Sequence, residues 1–184
     1  MLLACLLVVT TGLVIREVMP EGEATAREAL THAQEVQSIS LEGQRLPVRA
    51  LRETLATHVG DKLDGAQLER DRSTLEAQLV ASGYLAARVD APIVTFGDGG
   101  GAFITFAIAP GDMFHLRSVS VTGTTARDAG VVTIGKGDEA VADRIERARQ
   151  GVAERLSTHG KHTVTLRQQV DVAAAVVDVE LIAH

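Results

Sequence analysis

The segment Ser38-Ile39-Ser40-Leu41-Glu42-Gly43 has a counterpart later in the chain, Ser118-Val119-Ser120-Val121-Thr122-Gly123. In each segment two aliphatic side chains alternate with serines, and a glycine ends the segment. An alternation of period two predicts a half-buried β-strand, and the glycine predicts a turn at its end. Because such self-similarity is typical of a duplicated structural unit, the chain is predicted to contain two similar units.

A second pattern also occurs twice. It is a Gly-Asp pair with another glycine 23 residues after the glycine of the pair: Gly60-Asp61 with Gly83, and Gly137-Asp138 with Gly160. Between these glycines, apolar residues recur at three- and four-residue steps, which predicts one long amphipathic helix in each unit. The apolar faces carry Leu68, Leu75 and Leu79 in the first unit, and Val141, Ile145, Ala148, Val152 and Leu156 in the second. We expect the polar residues of the first helix to be solvated, namely Glu69, Arg70, Asp71 and Arg72. Gly83 and Gly160 are predicted helix stops.

A shorter helix is predicted before each long one. In the first unit, Pro47 suits the first position of a helix. Four apolar residues follow it at helical spacing, Val48, Leu51, Leu55 and Val59. The second unit has a weaker equivalent over residues 126–132.

After each long helix the period returns to two, which predicts a second strand in each unit. The alternating residues are Leu85, Ala87, Val89 and Ile93 in the first unit, and Val164, Leu166, Val170 and Val172 in the second. Third strands are predicted over residues 103–109 and 176–182. The predicted fold class is therefore α+β: two tandem β-α-α-β-β units, each a three-stranded mixed sheet covered by two helices.

The first 15 residues contain no charged side chain. As a helix they would span about 22 Å, which is shorter than a hydrocarbon core of about 30 Å. We therefore predict that residues 1–15 are a signal or anchor segment, followed by a polar spacer over 16–34. The two units are predicted to be domains with the boundaries 35–112 and 113–184.

Composition excludes several classes of function. The chain has a formal charge of −6 and five aromatic residues, so it lacks the cations and stacking side chains of a nucleic-acid groove. A single cysteine, Cys5, excludes an internal disulfide framework and a thiolate zinc cage.

Catalytic motifs are weak. His159 and His162 flank a helix stop with no carboxylate close in sequence, so we predict no metal site there. The glycine-rich loop 97–101 joins two predicted strands and does not open a helix, which excludes a phosphate loop. Ser118 and Ser120 have no neighbouring base. We expect no cofactor, no small-molecule substrate and no enzyme activity.

The order of elements resembles the POTRA (polypeptide-transport-associated) domain over about residues 35–184. The residues that carry the resemblance are the glycine after each first strand, the Gly-Asp before each long helix and Gly83-Tyr84 at the end of the first one. The resemblance implies structural roles for Gly43, Gly60, Gly83, Tyr84, Gly123, Gly137 and Gly160, with the ring of Tyr84 packed in the core. POTRA units occur in the periplasmic arms of outer-membrane assembly and two-partner secretion proteins and in division proteins of the FtsQ type. The family is not enzymatic through this domain.

In each unit, the two helices and the hairpin reverse the direction of the chain. If the third strand is central in the sheet, the second strand is therefore predicted to lie at an edge. Pro92 in the first of these second strands agrees with an edge, where proline is tolerated. An edge strand can bind an extended peptide through main-chain hydrogen bonds. The stretch 163–171 contains no proline, so we predict that the docking edge is formed by Thr163, Val164, Thr165, Leu166, Arg167, Gln168 and Gln169.

The resulting functional prediction is a non-catalytic protein-binding module of the bacterial periplasm or cell envelope. Its partners would be other envelope proteins or unfolded outer-membrane clients. The first alternative is a division or envelope scaffold of the FtsQ type, anchored in the inner membrane by residues 1–15. The second is a detached periplasmic arm of an outer-membrane assembly protein. The sequence does not discriminate a cleaved from a retained N-terminal segment.

Overall fold

The computed structural model describes residues 35–158, 160 and 163–184. The predictions made for residues 1–15 and 16–34, and for His159 and His162, lie outside the described residues. None of the helices in the described part of the chain is long and apolar enough to cross a membrane.

The described chain forms two similar units of strands and helices. The first contains β1 (Val36–Glu42), α1 (Val48–Glu53), α2 (Gly65–Ala81), β2 (Arg88–Val89), β3 (Ile93–Phe96) and β4 (Ala102–Ala109). The second contains β5 (His115–Thr122), α3 (Ala126–Ala129), α4 (Ala142–Ser157), β6 (Val164–Asp171) and β7 (Val176–Ala183). The fold is therefore mixed α+β, and the second unit has the predicted order of strand, helix, helix, strand, strand.

The last strand of each unit is the centre of a mixed sheet. In the first unit β4 pairs with β1 in parallel and with β2 and β3 in antiparallel orientation. In the second unit β7 pairs with β5 in parallel and with β6 in antiparallel orientation. The predicted central position of the third strand is thus confirmed, and the second strand lies at a sheet edge in both units.

The first sheet differs from the predicted three strands because its second strand is divided. The N–H of Asp90 donates to the carbonyl of Ala107, and Ile93 pairs with Thr105, so Ala91 and Pro92 together face the single residue Phe106. This bulge separates β2 from β3 and gives a four-stranded sheet. Proline has no N–H to donate to a ladder, which is why it occurs at bulges and on edges.

Each sheet packs its helices against one face and encloses its own apolar core. The predicted face of α2 is buried, with Leu68, Leu75 and Leu79 each at most 1% exposed. In α4 the buried residues are Ile145, Ala148, Val152 and Leu156. The two cores are separate clusters of buried side chains.

Two of the residues expected to be solvated on α2 are not. Asp71 is 1% exposed, and its carboxylate accepts hydrogen bonds from the backbone N–H groups of Ala56 and Thr57 and from the side chain of Gln67, each at 3.0 Å. The side chain of Arg72 is only 26% exposed. The prediction failed here because helical periodicity shows which face turns inward but not which polar group has partners on another segment.

Burial raises the pKa of Asp71, but the hydrogen bonds that its carboxylate accepts from the N–H groups of Ala56 and Thr57 and from the Gln67 side chain outweigh that effect and hold the pKa below its usual value. The same bonds explain the early end of α1. The prediction extended this helix to Val59, whereas α1 ends at Glu53 and Val59 is 63% exposed. The chain leaves the helical path after α1 because the N–H groups of Ala56 and Thr57 donate to the carboxylate of Asp71 instead of to carbonyls of a further helical turn.

The repeated Gly-Asp pairs form the same turn in both units. In the first unit, Gly60 donates to the carbonyl of Val36 and the N–H of Val36 donates to Asp61. Leu116 makes the equivalent two bonds with Gly137 and Asp138. In both turns the aspartate side chain also accepts from the backbone N–H three residues earlier. The turn therefore binds the outer edge of the first strand near its start.

The glycine after each first strand allows a close approach to the central strand. A Cβ on Gly43 would overlap the carbonyl oxygen of Ile108, and one on Gly123 would overlap that of Ala183. Gly123 also has a φ of +78°, a conformation that favours glycine.

Replacement of Asp71 by Asn is expected to lower the free energy of unfolding by about 2 kcal/mol at pH 7. The two N–H groups donate to different carboxylate oxygens, and the NH₂ group that replaces one of these oxygens cannot accept. Since the folded pKa of Asp71 is lowered, its stabilisation is complete above the unfolded pKa of about 3.9 and is lost as the pH falls through the folded value. Urea unfolding from pH 7 to pH 2 should therefore show the difference between wild type and Asp71→Asn shrinking at acid pH. A constant difference would contradict this assignment. Glu53→Gln, which alters a carboxylate whose side chain is 68% exposed, is the control.

Gly123→Ala and Gly137→Ala form a matched pair, because both glycines have positive φ but only Gly123 lies against a carbonyl oxygen. We expect Gly137→Ala to cost about 1 kcal/mol from backbone strain alone. Gly123→Ala should lower the free energy of unfolding by at least about 3 kcal/mol, because the ends of β5 and β7 must also move apart. Equal losses in denaturant unfolding would show that the close approach has no energetic role.

Candidate functional site

One side of the β6 strand is unpaired within the described part of the chain. There β6 pairs with β7 alone, and its register is continuous from Val164 opposite Ala183 to Asp171 opposite Val176. The N–H of His184 donates to the carbonyl of Thr163, which makes Thr163 and His184 a hydrogen-bonded pair. Because such pairs alternate along an antiparallel ladder, the odd-numbered residues bond to β7 and the even-numbered ones direct their N–H and C=O groups outward.

This parity divides the predicted docking residues into two sets. Thr163, Thr165, Arg167 and Gln169 are bonded to β7 through their backbone, whereas Val164, Leu166 and Gln168 present backbone groups at the free edge, as does Val170 beyond them. The side chains of Val164 and Leu166 pack toward the second core. Those of Gln168 and Val170 are exposed.

The opposite face of the second sheet is polar and uncovered by helices. Arg117 pairs with Asp178 and, at 3.4 Å, with Asp171, and Arg167 lies 3.4 Å from Glu180. Hydrogen bonds from Arg117 and then from Ser118 lower the pKa of Asp178. A shallow depression of about 210 Å³ lies among these groups, but ion pairing leaves the charges mutually neutralised.

The other sheet edges are interrupted. The edge formed by β2 and β3 is broken at Ala91 and Pro92. The register of β1 shifts between Val36 and Ser38, and that of β5 shifts between Leu116 and Ser118. Among the edge strands of the described residues, β6 is therefore the one whose register is unbroken over eight residues.

The Gly83-Tyr84 pair ends α2. Gly83 has a φ of +98°, and the N–H groups of Gly83 and Tyr84 donate to the carbonyls of Val80 and Leu79, which is a Schellman cap. Tyr84 is half-buried against the first core. It also lines a cleft of about 570 Å³ with Arg45, Ile108 and the segment 109–113. Gly160 has a φ of +79° and donates to Ser157, the last residue of α4.

Two contacts join the units at this point. The N–H of Phe114 donates to the carbonyl of Gly83 at 2.9 Å, and Leu85 packs against the second core. The first unit's helix end is thus bonded to the start of the second sheet.

The described residues that were considered for catalysis lie in β5 and in the loop between β3 and β4. Ser118 donates to Asp178, with no histidine in this hydrogen-bonded group. The loop 97–101 closes the β3–β4 hairpin through Gly97 and Gly101. Among the described residues there is no group of three or more His, Cys, Asp and Glu that could hold a metal ion.

Sequence reasoning missed Arg149. This residue of α4 reaches the β6 edge, where its Nη1 donates to the outward carbonyl of Val164 at 3.1 Å. The only signal in the sequence is that Arg149 and Arg72 both lie 12 residues after the glycine of a Gly-Asp pair.

Comparison with known proteins agrees with this fold. The sequence model of the POTRA family, described as "Surface antigen variable number repeat", matches residues 34–111. No curated protein matches the chain.

Three solved structures have a similar fold. POTRA domains 3–5 of BamA from Haemophilus influenzae share 18% identity at a TM-score of 0.52, with 82% of this chain and 66% of that one covered. The N-terminal domain of Omp85 from Thermosynechococcus elongatus shares 18% identity at a TM-score of 0.50, with 80% and 61% covered. POTRA domains 1–2 of the periplasmic domain of Omp85 from Anabaena share 14% identity at a TM-score of 0.52, with 80% and 94% covered.

The chain spans less than two thirds of the length of the first two structures. At these identities the likeness concerns the fold, and it extends over both units. Residues 34–111 match the POTRA family model, and the second unit repeats the strand order of the first, with its last strand between the other two.

Proposed function

We propose that the chain is a non-catalytic protein-binding module of the bacterial periplasm or cell envelope. In this proposal it binds client or partner chains by adding them to the β6 edge as an extra strand. The observation that carries the proposal is the continuous free side of β6, where Leu166, Gln168 and Val170 direct backbone groups outward. Backbone pairing makes few demands on the sequence of the added strand, which suits a module with several clients.

The relatives support the cellular setting. The Anabaena structure belongs to the periplasmic domain of an Omp85 protein, and the Haemophilus influenzae structure to BamA. By analogy, we propose that this chain acts in outer-membrane protein assembly or secretion, with envelope proteins or unfolded outer-membrane proteins as partners. The anchored alternative of the FtsQ type uses the same edge to hold a division or envelope partner, with residues 1–15 retained in the inner membrane.

We also propose that residues 35–112 and 113–184 are two domains that present their sheets in a fixed relation. Support comes from the hydrogen bond between Phe114 and Gly83 and from the packing of Leu85 against the second core. A fixed relation would hold the β6 edge at a defined angle to the first unit.

The direct test is a proline at an outward position. In Gln168→Pro the lost N–H faces away from β7, so the β6–β7 ladder keeps its bonds. The probe is the peptide acetyl-Lys-Val-Thr-Val-Thr-Val-Lys-amide, titrated into the ¹⁵N-labelled full chain. We expect shifts at Leu166, Gln168 and Val170 in the wild type. Binding should weaken at least about tenfold in Gln168→Pro, because one main-chain bond is lost and its neighbours are disturbed.

Gln168→Ala is the matched control, since it keeps the N–H and removes only the side chain. It should bind the peptide as the wild type does. Equal weakening in both variants would mean that the side chain, not the backbone, makes the contact. Wild-type shifts confined to β1 or β3 would place the docking edge elsewhere.

A further inference from the structure

The second strand of each unit is contacted by an arginine from the long helix. In the second unit, Nη1 of Arg149 donates to the carbonyl of Val164 at 3.1 Å. In the first unit, Nη1 of Arg72 donates to the carbonyl of Val89 at 3.3 Å. The side chains of Val89 and Val164 are both buried. Val164 is the first residue of β6, and Val89 is the second of the two residues of β2.

Both carbonyls lie on the outer side of the sheet. The parity of β6 places the backbone groups of Val164 outward. In the first sheet, the N–H of Asp90 donates to the carbonyl of Ala107, so the backbone groups of Asp90 point toward β4. Because the direction alternates along an antiparallel ladder, the backbone groups of Val89 point away from β4. Each arginine thus occupies an acceptor that an added strand would need.

A glutamate three residues earlier holds each arginine in place. Glu146 accepts two hydrogen bonds from Arg149, at 2.8 and 2.6 Å, and Glu69 accepts from Nε of Arg72 at 2.6 Å. Hydrogen bonds from Arg149 lower the pKa of Glu146 to about 2, so the pair stays charged at neutral pH. Paired charges at this spacing keep the guanidinium directed at the strand.

We propose that Arg149 and Arg72 are edge guards, each of which blocks pairing at one outward carbonyl of an edge strand. Arg149, at the first residue of β6, thereby fixes where an added strand begins. For β6, where this inference rests on the proposed docking function, the open pairing positions are then Leu166, Gln168 and Val170. An occupant is an extended peptide whose pairing begins opposite Leu166 and not opposite Val164. In the first unit the guard at Val89 and the bulge at Pro92 leave no continuous run of outward positions in β2.

Removal of the guard should lengthen the docking edge by one pairing position. In the full chain, Arg149→Ala is expected to bind the peptide acetyl-Lys-Val-Thr-Val-Thr-Val-Lys-amide about tenfold more tightly than the wild type, because an added strand gains a hydrogen-bonded pair. The amide of Val164 should then join those of Leu166, Gln168 and Val170 in becoming protected from solvent exchange on peptide binding. Calorimetry and ¹H–¹⁵N spectra measure the two effects.

Arg147→Ala is the matched control. Arg147 lies on the same helix, and its Nε donates to the carbonyl of Asp143 within α4, so the variant changes the charge equally without freeing a strand carbonyl. It should leave the affinity and the protected set unchanged. Arg149→Lys keeps the charge and the aliphatic stem but loses the bidentate bond to Glu146, and an intermediate gain is expected if Arg149→Ala does not fold.

The outcomes separate the guard from the docking function. If the wild type binds at β6 and Arg149→Ala and Arg149→Lys bind with the same affinity and register, the guard is refuted while docking stands. If the wild type does not bind but Arg149→Ala does, the guard is supported and docking by the unmodified chain fails. If neither binds, both proposals are overturned.

Discussion

The structure depends on one constraint of chain order: the last strand of each unit lies between the first two. Two helices return the chain to the sheet beside the central position, and a hairpin then inserts β4 or β7 next to the parallel first strand. The central strand bonds on both sides, so its backbone is satisfied within the unit. The second strand must then bond on one side only, and its other side is left to solvent or to a partner.

The two units meet this constraint differently. In the first, the bulge at Ala91 and Pro92 divides the edge into segments of two and four residues. In the second, the register of β6 is unbroken over eight residues, and Arg149 donates to its outward carbonyl at Val164, the first residue of the strand. Unbroken edges favour aggregation, and native proteins protect them with charges, bulges and proline. The first unit has all three devices, whereas the second retains a charged residue at one end, which is consistent with a binding role for the rest of the strand.

Much of the fold was predictable because burial imposes a period on the sequence. Period two in Ile39 and Leu41, and helical spacing in Ile145, Val152 and Leu156, correspond to side chains that point into the two cores. The glycines of both repeats were recognisable for a similar reason, since a positive φ or a close carbonyl excludes most other residues at Gly123.

The errors concern polar groups whose partners are distant in sequence. Asp71 bonds to N–H groups 14 and 15 residues earlier, and Arg149 bonds to a carbonyl 15 residues later. Neither contact leaves a periodic signal, because the partner is a backbone group that any residue carries. The bulge at Pro92 reverses the alternation, so that Val89 is buried before it and Val94 packs against the core after it, whereas Ile93, predicted to alternate with Val89, is exposed. The sequence pattern therefore predicted that β6 is an edge strand. Which of its residues direct their backbone groups outward could be seen only in the structure.

Docking at β6 requires that alternate residues of this strand face outward with backbone groups that the described part of the chain leaves unpaired. Amide hydrogen exchange of the full chain, resolved by residue and recorded without any added peptide, measures this directly. We expect fast exchange at Leu166, Gln168 and Val170 and slow exchange at Thr165, Arg167 and Gln169, whose N–H groups donate to β7. Slow exchange at all six amides would mean that a second segment already covers the edge, and the docking account would be wrong.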